Sequence, residues 1–265
     1  MDLKLKDKVI IVTGATKGIG RAAVQAFAEE GARLTLAART ADDLDQTARE
    51  VREATGAEVV TAVCDVTTDI DVQRLVHTAM DAYGRVDVLV NSGAGRLPAG
   101  EFLEITSEQW LEGWNQKIQA YIRTAQAVFP IMEQQGSGKI INVVGTAARN
   151  PKHSYMAVGM SNAALVNFTK SLADRGAPHG ILVAGVAPSG VMTERWTRLI
   201  AARAEAEGKT AEQLQAESDA GFPLGRMGNP QELGDVICFV ASERASFVSG
   251  SIITVDGNST QGVFN

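Results

Sequence analysis

Seven short, almost wholly apolar runs punctuate the chain: Val9 to Thr13, Leu34 to Ala38, Val59 to Cys64, Val86 to Asn91, Lys139 to Val144, Ile181 to Ala187 and Ser251 to Val255. They are rich in β-branched residues and lack an alternating polar face, which suits strands buried on both sides of a parallel sheet. Between them the pattern turns helical, over Arg21 to Glu30, Leu44 to Ala54, Val72 to Tyr83, Ser107 to Phe129, Met156 to Ala177 and Gln231 to Ser242. Alternating strand and helix predicts an α/β fold, a doubly wound parallel sheet in a single domain spanning residues 1–265. The stretch from Thr193 to Gly225 is the least regular.

The first strand runs into TGATKGIG, Thr13 to Gly20, and straight on into a helix. Gly14, Gly18 and Gly20 let the backbone turn tightly and approach a pyrophosphate. Thr16, Lys17 and Ile19 complete a loop whose amides face the negative charge at the helix N-terminus. A glycine triplet alone is weak; between a first strand and a first helix it is a strong dinucleotide signal. An NAD(H) site would place an acid about twenty residues on, at the ribose 2'-hydroxyl. Here Ala38 and Arg39 stand at that strand end. Lys17 and the forked Arg39 side chain can converge on a 2'-phosphate, which favours NADP(H) over NAD(H).

Composition narrows the partners. The net charge of −6 comes from interspersed charges, with no basic stripe for nucleic acid. No apolar run approaches the roughly 20 residues that cross a bilayer, so no membrane partner is expected. The start, MDLKLKDK, lacks a signal-peptide core, so a cytoplasmic location is expected. Cys64 and Cys238 sit in apolar segments and read as buried thiols. His77 and His179 have no companions at ligand spacing, so no metal site is expected.

TGxxxGIG, the CDV at Cys64 to Val66, NSGAG at Asn91 to Gly95, PSGVMT at Pro188 to Thr193 and the VDG at Val255 to Gly257 resemble the short-chain dehydrogenase/reductase family over nearly the whole chain. The resemblance implies that Asp65 and Val66 hold the adenine, and that Asn91 and Gly93 pack along the adenosine ribose and strand end. It implies further that Pro188, Val191 and Thr193 border the nicotinamide, that residues 193–225 form a substrate lid, and that the chain is a homo-oligomer, a tetramer or dimer. Apolar Trp196, Leu199, Ile200, Leu214 and Phe222 in that lid suggest a hydrophobic or acyl-type small-molecule substrate; two surface helices packed on the body fit them equally. An apolar contact by Val263 and Phe264 is expected in the assembly.

The family's four chemical positions are where the pattern departs. Aligned on Asn162 to Ala173, the lysine position is Asn162, the tyrosine position Val158, the serine position Gly145 and the asparagine position Lys117. Valine donates no proton, and a positioned acid is worth about 10²–10⁴ in rate. Tyr155 lies seven residues before Asn162, on the same helical face, a spacing similar to that of the enoyl reductases within the wider family. Lys117 and Asn162 then read as an exchanged pair, with Lys117 lowering the pKa of Tyr155 and Asn162 bonding a ribose hydroxyl. Neighbouring Thr146 can orient a carbonyl. The plainer alternatives are a packing tyrosine, a solvated Lys117, and His153 as either a substitute acid or a solvated loop residue. Two functions therefore stay open: an NADP(H)-dependent oxidoreductase acting on a carbonyl or a conjugated C=C, and a catalytically inactive NADP(H)-binding sensor or partner subunit.

Overall fold

The computed structural model describes residues 1–93, 95 and 97–261; the expected Val263 and Phe264 contact and Ala94 of the NSGAG segment lie outside the described residues. Every strand of the sheet is parallel: β1 (Val9–Thr13), β2 (Arg33–Ala38), β3 (Val59–Val63), β4 (Val88–Asn91), β5 (Gly138–Val143), β6 (Ile181–Pro188) and β7 (Ile252–Val255). Their order is β3-β2-β1-β4-β5-β6-β7, so the chain winds outward in both directions from the seam between β1 and β4. This is the expected doubly wound fold, with strand limits shifted by one or two residues at some ends.

Alternation along each strand explains the runs. Ile10 and Val12 of β1, Leu34 and Leu36 of β2, Val88 and Val90 of β4 and Val186 of β6 enter one apolar core. Ile11, Ala37, Leu89, Ile140 and Val183 enter the other. The inner strands are thus apolar on both faces because each face is covered, while the edge strands β3 and β7 are only partly so. Helices α1 (Gly18–Glu29), α2 (Ala41–Thr55) and α9 (Pro230–Ala241) supply Phe27, Leu44 and Ile237 to the first core. Helices α3 (Asp69–Tyr83), α5 (Ala120–Gln135) and α6 (Met156–Gly176) supply Leu75, Val128 and Ala173 to the second.

Two helical expectations need correction. The segment read as one helix from Ser107 to Phe129 is α4 (Ser107–Trp114), a π-helical turn (Asn115–Gln119) and α5, which runs through Pro130 to Gln135. Burial of Met132 in the second core outweighs the lost proline amide, and Gly136, at φ +66°, ends the helix. The irregular stretch after Thr193 is in fact helical, as α7 (Glu194–Glu207) and α8 (Ala211–Ala220). Thr193 caps α7 through Trp196 N, and Thr210 and Gln213 form a capping box on α8. No described helix is long and apolar enough to cross a membrane.

Asp87 anchors the sheet at the end opposite the site. Its carboxylate accepts from Val9 N at 2.9 Å and from Arg85 Nη2 and Nε at 2.6 and 3.0 Å, so it ties the start of β1 to the start of β4. Asp87→Ala leaves the Val9 amide buried without a partner, and should cost about 2–3 kcal/mol and lower the melting midpoint by roughly 5–10 °C. Calorimetry finding a midpoint within a degree of the parent would rule out that anchoring role.

Candidate functional site

The site forms where β1 and β4 diverge, at the carboxyl ends of the strands. Gly14, at φ +65°, lies so close over β4 that an added Cβ would sit 2.7 Å from Gly93 Cα, and one on Gly20 would run into the Gly14 carbonyl. The Thr13 hydroxyl receives the amides of Ser92 and Gly93, both at 3.2 Å, and donates to Val90 O. The result is a groove of about 540 Å³ lined by Gly14, Thr16, Lys17, Gly18, Ile19, Arg39, Asp65, Val66, Gly93 and Thr193.

The groove accommodates a dinucleotide on physical grounds: bare backbone where a diphosphate would pass, and the N-terminus of α1 pointing at it. Asp65 sits at the β3 end. Burial pushes against its ionisation, but the hydrogen bonds from Thr67 and the nearby charges of Arg39 and Arg123 hold its carboxyl below the usual range. Arg39 faces the groove and joins no ion pair among the described residues. Lys17 lines the groove as well, but its ammonium is paired with Asp43 at 2.6 Å. Asp43 also lines the groove, so the expectation of no acid facing a 2'-phosphate is corrected. It comes from the first turn of α2, four residues past Arg39, beyond the strand end on which the sequence argument rested. A second acid missed in the sequence is Glu194, whose carboxylate accepts from Gly18 N at 3.2 Å.

Asn91 does not line the groove. It is fully buried, donates to Asn142 Oδ1 at 3.0 Å and accepts from Thr124 at 2.7 Å, and Asn142 continues to Thr169 at 3.0 Å. This chain of bonds fastens α5 and α6 to the sheet beneath the site. Gly20 acts by permitting close approach, while Pro188 and Val191 face the adjoining cleft.

That cleft, of about 840 Å³, is lined by Tyr155, Thr146, Val158, Asn162, Gly145, Pro188, Val191, Trp196, Leu199 and Phe222 among others. It meets the groove at Ile19, Thr193 and Arg195, which line both. Tyr155 ends a short turn before α6 and is 38% exposed. Ile200 and Leu214, by contrast, are buried in packing, so only part of the lid's apolar surface faces the cleft. His153 lies 3.7 Å from Glu101 on the exposed side.

The structure does not bring Lys117 and Tyr155 together by a hydrogen bond. Lys117, in the π-helical turn and only 8% exposed, donates to Tyr121 Oη at 2.7 Å and to Val143 O at 2.9 Å, and the Tyr121 hydroxyl also donates to Val143 O. The i, i+4 spacing of Lys117 and Tyr121 was the available signal. Asn162 is likewise engaged: it accepts from Gly145 N and donates to Val158 O, both at 2.9 Å. A Cβ at Gly145 would lie 3.3 Å from the Asn162 amide nitrogen, so the glycine and the amide fit each other. Among the described residues no cluster of His, Cys, Asp or Glu can hold a metal ion. Cys64 and Cys238 are buried free thiols, and burial pushes both up to about 12.

Sheet order, glycine cradle and twin clefts define a Rossmann-type dinucleotide-binding protein. A family model described as enoyl-(acyl carrier protein) reductase matches residues 14–260, and the chain belongs to the short-chain dehydrogenase/reductase family. It is 34% identical over 252 residues to a monensin polyketide synthase putative ketoacyl reductase of Streptomyces virginiae, covering 94% of this chain and 96% of that one. It is 32% identical over 258 residues to a 3-oxoacyl-[acyl-carrier-protein] reductase of Thermotoga maritima, covering 96% and 98%. L-sorbose reductase from Gluconobacter frateurii, solved with NADPH and L-sorbose, superposes with a TM-score of 0.95 at 31% identity, covering 99% of this chain and all of that one.

Burial pushes the Lys117 amine down to about 7, helped by the charge of Arg195. In the unfolded chain it titrates at about 10.4. Because the unfolded state holds the proton more tightly, this group's penalty is full below about pH 7 and is relieved as pH rises towards about 10. Lys117→Met should therefore melt higher than the parent at pH 6, with the gap closing by pH 9.5. A gap that is constant or grows with pH would show that Lys117 is not the strained cation described.

Proposed function

We propose that this protein is an NADP(H)-dependent oxidoreductase that acts on a carbonyl, or on a C=C conjugated to one, in a small hydrophobic or acyl-type substrate. The observation that carries the reading is the junction of groove and cleft at Ile19, Thr193 and Arg195, which lets a substrate carbon meet the reactive end of a dinucleotide. Bound NADPH supplies a hydride. Tyr155, at the cleft wall, provides the proton for the substrate oxygen, and Thr146, which lines the same cleft, orients that oxygen. Residues 193–225 act as the lid, with Trp196 Nε1 donating to Gln215 at 2.7 Å to hold α7 on α8. Lys117 then acts as a positioning residue, through its bond to Val143 O at the end of β5.

Among the cations, Arg39 is assigned the 2'-phosphate. The NADPH complex of the sorbose reductase supports this choice of coenzyme. Glu194 must leave the Gly18 amide for a diphosphate to take its place, since two anions cannot share one donor.

The second reading, an inactive NADP(H)-binding sensor or partner subunit, draws on a specific observation. Lys117 and Asn162 spend their polar atoms on Tyr121, Val143, Gly145 and Val158, leaving Tyr155 and Thr146 as the chemistry of the cleft wall. Absorbance loss of NADPH against a panel of ketones, aldehydes and enones separates the two: tight binding without oxidation across the panel favours the sensor.

Two variants test the assignments. Arg39→Ala should weaken NADPH binding by about tenfold or more while leaving NADH within about twofold, because a bidentate charged contact is worth about 1.5–3 kcal/mol. Equal losses by fluorescence titration would remove Arg39 from the 2'-phosphate. Tyr155→Phe should lower kcat by about 10²–10⁴ with the NADPH dissociation constant unchanged; retained turnover would take the proton donor elsewhere.

A further inference from the structure

The substrate cleft carries a charge bias opposite in sign to the net charge of the protein. The protein as a whole has a net charge of −6, yet among the described residues the lining of this cleft includes Lys152 and Arg195 and not one aspartate or glutamate. Neither cation joins an ion pair among the described residues. Elsewhere Lys17, Arg33, Arg74, Arg203, Lys209 and Arg226 each find a carboxylate, whereas Arg39 in the groove, like these two, does not. Both cations are exposed, so the attraction they offer an anion is modest and screened by salt, and it acts beside the apolar side chains of Trp196, Leu199 and Phe222.

The two cations are placed differently. Lys152 lines the cleft alone; its carbonyl accepts from Tyr155 N at 2.9 Å, so it is fixed to the turn that carries the phenol. Arg195 stands at the junction, lining groove and cleft alike, and its charge reaches Lys117. An anionic group held at Lys152 would lie beside the turn that presents Tyr155, with the apolar remainder of the molecule against α7 and Phe222. The uncharged polar side chains Asn150, Ser189 and Gln261 complete the wall without opposing it.

We propose that the cleft selects a substrate bearing a carboxylate on an apolar or aryl body, with Lys152 as the specificity-determining contact and Arg195 reinforcing it from the coenzyme side. The inference rests on the oxidoreductase reading above, and its test separates the two. The probes are 3-benzoylpropanoate, 4-benzoylbutanoate and 5-oxohexanoate, each against its own methyl ester, with NADPH oxidation followed at low ionic strength. At least one acid should exceed its ester in kcat/KM by about tenfold or more, the size of one charge-assisted contact. Lys152→Met should reduce that acid-to-ester ratio by about tenfold, Lys152→Arg should restore most of it, and added salt should erode it. The NADPH dissociation constant of the Met variant serves as a control that a coenzyme effect would move.

Equal rates for acid and ester, or a Met variant that lowers both alike, overturn the inference while the oxidoreductase reading stands. If no probe oxidises NADPH, the melting midpoint of the NADPH-saturated protein decides. A rise with the acids and none with the esters, abolished in Lys152→Met, keeps the anion site and counts against the oxidoreductase. No rise with any acid overturns the anion site as well.

Discussion

The approach of the loop after β1 to the end of β4 is the constraint on which the site is built. Gly14 and Gly93 come so close that neither tolerates a side chain without displacing the other, and one hydroxyl, Thr13 Oγ1, takes both amides that the end of β4 would otherwise leave open. Because the two strands are held at that separation, α1 starts where its N-terminal amides face the groove. The polar chain from Thr124 through Asn91 and Asn142 to Thr169 then carries the same geometry across the sheet. Such a chain, fully buried and fully bonded, specifies a single arrangement of α5 and α6. The positions of Lys117 before α5 and Tyr155 before α6 follow from it.

Within that frame, polar groups fall into two populations. Lys117, Tyr121, Asn162 and the backbone of Val143 and Gly145 satisfy one another, as buried groups must when water is absent. Tyr155 and Thr146 border the cleft, and Lys152 and Arg195, which join no ion pair among the described residues, bring charge to it. Lys117 is costly to bury, and the fold contains that cost with a carbonyl, a hydroxyl and the face of the Tyr121 ring 4.2 Å away, instead of with a carboxylate. A carboxylate there would have fixed the charge. Without one, the amine sits near the point where it gives up its proton.

The sheet and the cofactor loop were legible because their signals are local. An unalternating apolar run can only be a strand covered twice, and a glycine loop between strand and helix has few other uses. The helical continuation past Pro130 was not legible, since it depends on Met132 finding a place in the second core. Helices α7 and α8 were partly legible: the Thr210 to Gln213 capping box is written in the sequence, but their many charges hid it. The wall of the cleft proposed to be catalytic was read by register alone, which located Lys117, Tyr155 and Asn162 without telling which would touch. The pairing of Lys117 with Tyr121, four residues on, is made within the π-helical turn and α5, and that of Asn162 with Gly145, seventeen residues back, is a tertiary contact that no local pattern announces.

The start of α7 gathers the remaining logic of the site into two adjacent residues of opposite sign. Glu194 occupies the Gly18 amide in the groove, and Arg195 stands at the junction with the cleft. In the proposed function an arriving diphosphate competes with the Glu194 carboxylate for that amide and is at the same time attracted by Arg195. Releasing Glu194 frees the one hydrogen bond that joins its side chain to α1, while the Thr193 cap on Trp196 N continues to hold the helix in register. Coenzyme binding therefore acts first on the residue beside Arg195.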